Sequence, residues 1–244
     1  METLTRKQRE VRHRESQILE LAREMLLEHG YHGLSMDRIA EALEYSKGTI
    51  YQHFSCKEEI LLALANEALD ARVRMFRRAA AFRGRPRERM AGVGVATELF
   101  AGLYPHHLQV EQVVRLNSVW EKTSEQRRNL MRTCETQCMG TVGGIVRDAV
   151  AVGDLTLPTT MEPEHVVFGL WSMNYGAQSI AGSSDTLAEI GIADPLKSLR
   201  DNCNHLLDGY DWKPLTSELD YDDCRARIAE EVFPNESAML RNQA

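Results

Sequence analysis

Between Ser46 and Lys57 the chain reads Ser-Lys-Gly-Thr-Ile-Tyr-Gln-His-Phe-Ser-Cys-Lys, and its polar members are groups that suit contact with nucleic acid. Lys47 carries a point charge that can meet a phosphate. Gly48 has no side chain, so backbone there can come close to a base edge or a sugar. Thr49 and Gln52 have hydrogen-bonding tips for base edges, and the threonine methyl can pack on that of thymine. Tyr51 and His53 can donate to phosphate oxygens. Lys57 sets a second charge beside the free amide N–H groups of a helix start, an arrangement that holds phosphate. Ile50 and Phe54, four residues apart, face the other way, toward apolar partners at Ile39 and Leu43.

Other reactive side chains form weaker patterns. Cys134 and Cys138 are spaced i, i+4, and with His106 and His107 they could ligate a metal or sense redox state. Metal signatures show tighter, repeated spacing, so two small buried residues is the better reading, and no metal or cofactor is expected. Asp220, Asp222 and Asp223 lack the spacing of a metal loop and read as charge at a helix start. No nucleophile–base signature or Gly-rich phosphate loop appears, so no catalytic residues are assigned and a non-enzyme is expected.

Composition narrows the class. The 244 residues, 43% hydrophobic, suffice for one or two domains with a core. Five cysteines with no export signal imply reduced thiols. No apolar run is long enough to span a membrane and the charged N-terminus has no apolar signal core, so a cytoplasmic protein without membrane contact is expected. The net charge of −7 argues against coating nucleic acid by bulk attraction. It is unevenly spread, however: residues 1–14 hold five bases and two acids, and residues 215–244 seven acids and three bases. The basic arm is either a phosphate-following extension or a disordered solubilising tail.

These residues are carried on helices. Ile18, Leu21, Ala22 and Met25 make one apolar stripe, closed by Gly30 as a left-handed terminator. Ser35 caps a short helix Met36–Leu43, and Ser46 caps a second, Lys47–His53. Ser55 and Glu58 match a capping box for a long helix ending before Gly84-Arg85-Pro86. Further helices fit Arg87–Leu103, a short piece after Pro105, and Ser124–Val152 closed by Gly153. Pro163 and Pro195 open helices over 163–182 and 195–208. A last piece, Tyr221–Phe233, precedes Pro234 and a polar tail. No strand pattern of useful length appears, so the fold class is all-α.

Two short helices joined by a tight turn, with a third before them, make a helix-turn-helix whose second member enters the major groove. The stretch Leu34–Leu61, LSMDRIAEALEYSKGTIYQHFSCKEEIL, resembles the DNA-binding signature of the tetracycline-repressor (TetR) family. Ser35 stands at a threonine position of that pattern, and Ile39, Ala40, Ser46, Gly48, Tyr51, His53, Phe54 and Lys57 match it directly. One departure is Leu43-Glu44-Tyr45 where the family has Ala-Gly-Val. Glycine there supplies positive φ, so Glu44 either carries strain or the turn differs.

The resemblance implies an N-terminal three-helix helix-turn-helix domain with its basic arm (1–57), a C-terminal helical ligand-binding and dimerisation domain (58–211), and an extension (212–244) beyond the family pattern. The implied DNA-binding set is Ser35, Ser46, Lys47, Gly48, Thr49, Tyr51, Gln52, His53 and Lys57. Helices 163–182 and 195–208 would pair with their twins through Val166, Gly169, Leu170, Met173, Leu199, Cys203 and Leu206. A ligand pocket would be lined from Phe100, Tyr104, His107, Trp120, Met131, Cys134, Phe168, Trp171 and Tyr175. The implied function is a ligand-responsive transcriptional repressor. Its partners would be double-stranded operator DNA, a second copy of itself, and a small molecule not identified by the sequence. Two rivals stay open: an all-helical enzyme or carrier with an incidental helix-turn-helix, and a DNA-binding structural protein that senses no ligand.

Overall fold

The computed structural model describes residues 5–184 and 186–242, and all regular structure among them is helical. Twelve helices are described: α1 (Arg6–Gly33), α2 (Met36–Ala42), α3 (Lys47–His53), α4 (Lys57–Ala80), α5 (Pro86–Leu103), α6 (His107–Val114), α7 (Asn117–Trp120), α8 (Glu125–Ala151), α9 (Pro163–Ala181), α10 (Pro195–Gly209), α11 (Tyr221–Val232) and α12 (Pro234–Arg241). They gather into two units, residues 5–70 with 106–134, and residues 71–105 with 135–242.

The first unit is built around the start of α4. Residues 58–66 are all buried, as in a helix surrounded by others. Buried in the same unit are Ile18, Leu19, Ala22 and Leu26 of α1, Ile39 and Ala40 of α2, and Ile50 and Phe54 of α3 with its cap, each at most 7% exposed. Gly30 breaks α1 at φ 63°, where the apolar stripe ends. Glu58, expected in a capping box with Ser55, also reaches across the unit. Its carboxylate accepts from the Tyr31 hydroxyl and from Lys122 Nζ, both at 3.1 Å.

In the second unit α10 packs on α9, and α11 and α12 pack on α5. Residues 212–242 are therefore folded structure, and the segment after Pro234, expected to be a polar tail, is a helix with that proline in its first turn. Arg87 holds the extension in place. Its side chain is 0% exposed. It pairs with Asp208 at 2.6 Å, donates to the Asn204 carbonyl at 3.1 Å and to the Trp212 carbonyl, and lies over the Tyr221 ring at 4.9 Å. Trp212 itself is fully buried. The face of α5 is shaped for this packing: a Cβ on Gly102 would come within 2.8 Å of Leu240, and one on Gly92 within 3.5 Å of Ile228.

Candidate nucleic-acid interface

The turn between α2 and α3 sets the angle of the candidate reading helix. Glu44 adopts φ 55°. Its N–H donates to Glu41 O at 3.1 Å, and Tyr45 N–H donates to Ala40 O at 2.9 Å. This pair of bonds is the Schellman ending, with a left-handed residue where glycine is usual. The backbone thus keeps the turn that the resemblance implies, and Glu44 takes the strained position. Tyr45 is the bulkier replacement in the turn, and its hydroxyl donates to Gln17 Oε1 of α1 at 2.8 Å.

The helix α3 opens on Ser46, whose Oγ accepts from Thr49 N–H at 3.1 Å. Ile50 and Phe54 are buried to 0% and 2%. The opposite side stays in solvent: Ser46, Lys47, Gly48, Tyr51 and Gln52 are exposed, and Thr49 and His53 half-buried. The Thr49 hydroxyl lies 2.8 Å from Ser46 Oγ. Of the two serines expected as caps here, Ser46 makes its side-chain bond at the start of α3, whereas Ser35 stands at the start of α2 without one.

Two cations differ from their expected settings. Lys47 Nζ sits 2.8 Å from Asp37 of α2, both side chains exposed, and that hydrogen bond holds the ammonium pKa above its ordinary value. Lys47 thus arrives with a carboxylate that a phosphate would have to replace. Lys57 turns inward. It donates to the carbonyls of Tyr31 and Leu34 at 3.4 Å each and lies 4.1 Å from the centre of the Tyr31 ring. The structure gives it the role of tying α1 to α4.

Sequence reasoning missed the support behind α3. Arg127 of α8 stacks over the Phe54 ring at 5.0 Å while its Nε pairs with Glu59 at 2.8 Å. Ser124 N–H donates to the same carboxylate. Burial works to raise the Glu58 pKa, but its own amide, Lys122 and Tyr31 together bring it below the ordinary value. Lys122, Ser124 and Arg127 lie more than sixty residues from their partners and Tyr31 27 residues from Glu58, and no local pattern marks them.

The remaining candidates divide by exposure. Val166 is fully buried within its own chain, so it is not available to a second copy. Gly169, Leu170, Met173, Leu199, Cys203 and Leu206 are half-buried, and burial pushes the Cys203 thiol up to about 11. Phe168 and Trp171, expected in a pocket, are 63% and 40% exposed. With Tyr175 they form an outward aromatic row, ring centres 6.1 and 6.4 Å apart. Phe100 is buried and stacks on Tyr104 at 4.9 Å. His107, Met131 and Cys134 are buried, and Trp120 is half-buried beneath the guanidinium of Arg132. Cys138 is buried as well, and among the described residues no group of three histidine, cysteine or acidic side chains is placed to hold a metal. No helix among them is long and apolar enough to cross a membrane.

Residues 18–64 match the family model described as bacterial regulatory proteins, tetR family. That stretch is a tetR-type DNA-binding domain. The chain is 48% identical over 54 residues to the HTH-type transcriptional repressor AcnR of Corynebacterium diphtheriae, covering 22% of this chain and 28% of that protein. It is 35% identical over 96 residues to the HTH-type transcriptional activator FasR of Mycolicibacterium smegmatis, covering 39% and 42%. The chain thus spans less than half the length of these relatives in the matched stretch. A TetR/AcrR-family regulator from Thermobifida fusca is similar over 81% of this chain and 98% of its own, with TM-score 0.61 and 25% identity.

Proposed function

We propose that this chain is a homodimeric, ligand-responsive regulator of transcription, a repressor that a small molecule releases from its operator. The carrying observation is the outward face of α3. Lys47, Gly48, Tyr51 and Gln52 are exposed on a helix held rigidly by Ile50 and Phe54, inside the stretch that matches the tetR family. Phosphate contacts from Lys47, Tyr51 and His53 would fix register, and Gln52 and the Thr49 methyl would read bases. Lys57 supports the domain from within.

One such unit covers too little DNA to read an operator alone, and a two-fold pair matches two half-sites about one helical turn apart or a multiple of it. The Phe168–Trp171–Tyr175 row supports α9, with α10, as the dimer face, because exposed contiguous aromatic surface marks an interaction site. The ligand site is proposed around the inward pair Phe100 and Tyr104. A ligand acts by preferring one of two arrangements of the reading helices, and its differential affinity sets how far DNA binding falls.

The test is a gel shift on DNA upstream of the protein's own coding sequence, with and without candidate small molecules. A shift that one of them reverses is expected. No shift on any upstream fragment overturns the regulator reading, and a shift that no ligand reverses leaves the DNA-binding structural protein in its place.

A further inference from the structure

The first turns of α1 bury nothing. Residues 5–14 are all exposed, and the first buried residue of the helix is Ile18. The segment is nonetheless helical from Arg6, with a reciprocal cap. Thr5 Oγ1 accepts from Gln8 N–H at 3.3 Å, and Gln8 Oε1 accepts from Thr5 N–H at 2.8 Å. Those ten residues carry Arg6, Lys7, Arg9, Arg12 and Arg14 against Glu10 alone, a net of 5 − 1 = +4 in a chain whose total is −7. Glu10 pairs with Arg6 at 3.1 Å. Five bases on one exposed helix favour an anionic surface.

Its position names the surface. Gln17 is hydrogen-bonded to Tyr45, the residue just before the cap of α3. The side of α1 that carries Gln17 continues toward the N-terminus through His13, Glu10 and Arg6, at helical spacing, with Arg14 beside it. The projection therefore leaves the domain next to the start of the reading helix. From Ile18 to Arg6 it is about 18 Å long, the length of roughly five base pairs. The expected disordered tail is not what Arg6–Arg14 form; residues 1–4 lie outside the described residues.

We propose that Arg6–Arg14 form a second DNA-contact surface, a basic helix that lies along the phosphates flanking the half-site read by α3. The inference rests on the operator-binding reading above. Its contacts are to phosphate, so they add affinity and salt dependence without sequence preference.

The experiment uses the full chain and an upstream fragment that it shifts, synthesised at two lengths: the protected core alone, and the core with five further base pairs at each end. Wild type binds the longer duplex more tightly, with a salt slope steeper by about 0.9 per flanking phosphate contacted. Arg6→Gln with Arg14→Gln keeps good helix formers in place and loses most of that length difference, while circular dichroism shows the helix content unchanged. Equal affinity and slope of wild type on both lengths, or a variant that keeps the wild-type difference, overturns the proposal. Core binding with no flank effect defeats this inference alone, whereas no binding to any duplex defeats the operator reading and this inference with it.

Discussion

Replacing Glu44 separates backbone strain from charge at the turn that aims the reading helix. An L-residue in the left-handed region costs about 1–2 kcal/mol, and Glu44 is held there at φ 55° by two backbone bonds. Glu44→Gly removes that cost, but glycine gives the unfolded chain more freedom, worth about 0.5–1 kcal/mol. The net expected gain is about 0.5–1 kcal/mol, a rise in melting temperature of roughly 1–4 °C for a chain of this size. Glu44→Gln keeps the backbone and removes only the charge, so its melting temperature should not move measurably. Both variants lose a negative charge near the DNA face, and both should bind duplex more tightly at low salt than at high salt relative to wild type. Thermal melts followed by circular dichroism, paired with anisotropy titrations at two salt concentrations, read the two effects separately. If glycine lowers the melting temperature, or glutamine raises it as much, the strain assigned to Glu44 is not there.

Arg127→Met leaves the buried Glu59 carboxylate without its guanidinium and Phe54 without its stacking partner; a loss of about 2 kcal/mol is expected. Amide hydrogen exchange in α3 should quicken, and unchanged exchange there would contradict the supporting role. Arg87→Met strands Asp208 and two carbonyls around a fully buried site and should cost about 3–5 kcal/mol, seen as an early melt of α10–α12. Burial works to raise the Asp208 pKa, yet Thr216 and Arg87 bring it below the ordinary 3.8. Its stabilisation is therefore present above 3.8 and lost as pH falls through the lower folded value, and Asp208→Asn should flatten that part of an acid-unfolding curve. Trp171→Asp puts a charge into the exposed aromatic row of α9 and should shift sedimentation from dimer toward monomer; an unaltered dimer would place the interface elsewhere.

What the sequence disclosed was local. Ser46 as a cap, Ile50 and Phe54 four apart, a break at Gly30, a positive φ at Gly153, and the first of the two alternatives left open at Glu44 all follow from neighbours within a few residues, and each is found. The inward setting of Lys57 was not legible because the carbonyls beside it belong to Tyr31 and Leu34, far back in the chain. Arg87 and Arg127 gave no signal for the same reason. Pro234 reads equally well as a stop and as the first turn of a new helix, and only packing on α5 decides. On α9 the apolar residues run most of the way round, so spacing could not tell that Val166 faces its own chain while Phe168 and Trp171 face out.

The central claim is that α3, presented twice by a dimer, lies in the major groove. Hydroxyl-radical footprinting of a shifted upstream fragment tests it most directly, with wild type and Gln52→Ala side by side. Two protected patches related by two-fold symmetry are predicted, their centres one helical turn apart or a multiple of it. Gln52→Ala should lose about 1–3 kcal/mol on that fragment and less on others. A single unpaired patch, or an equal loss on every sequence, would contradict it.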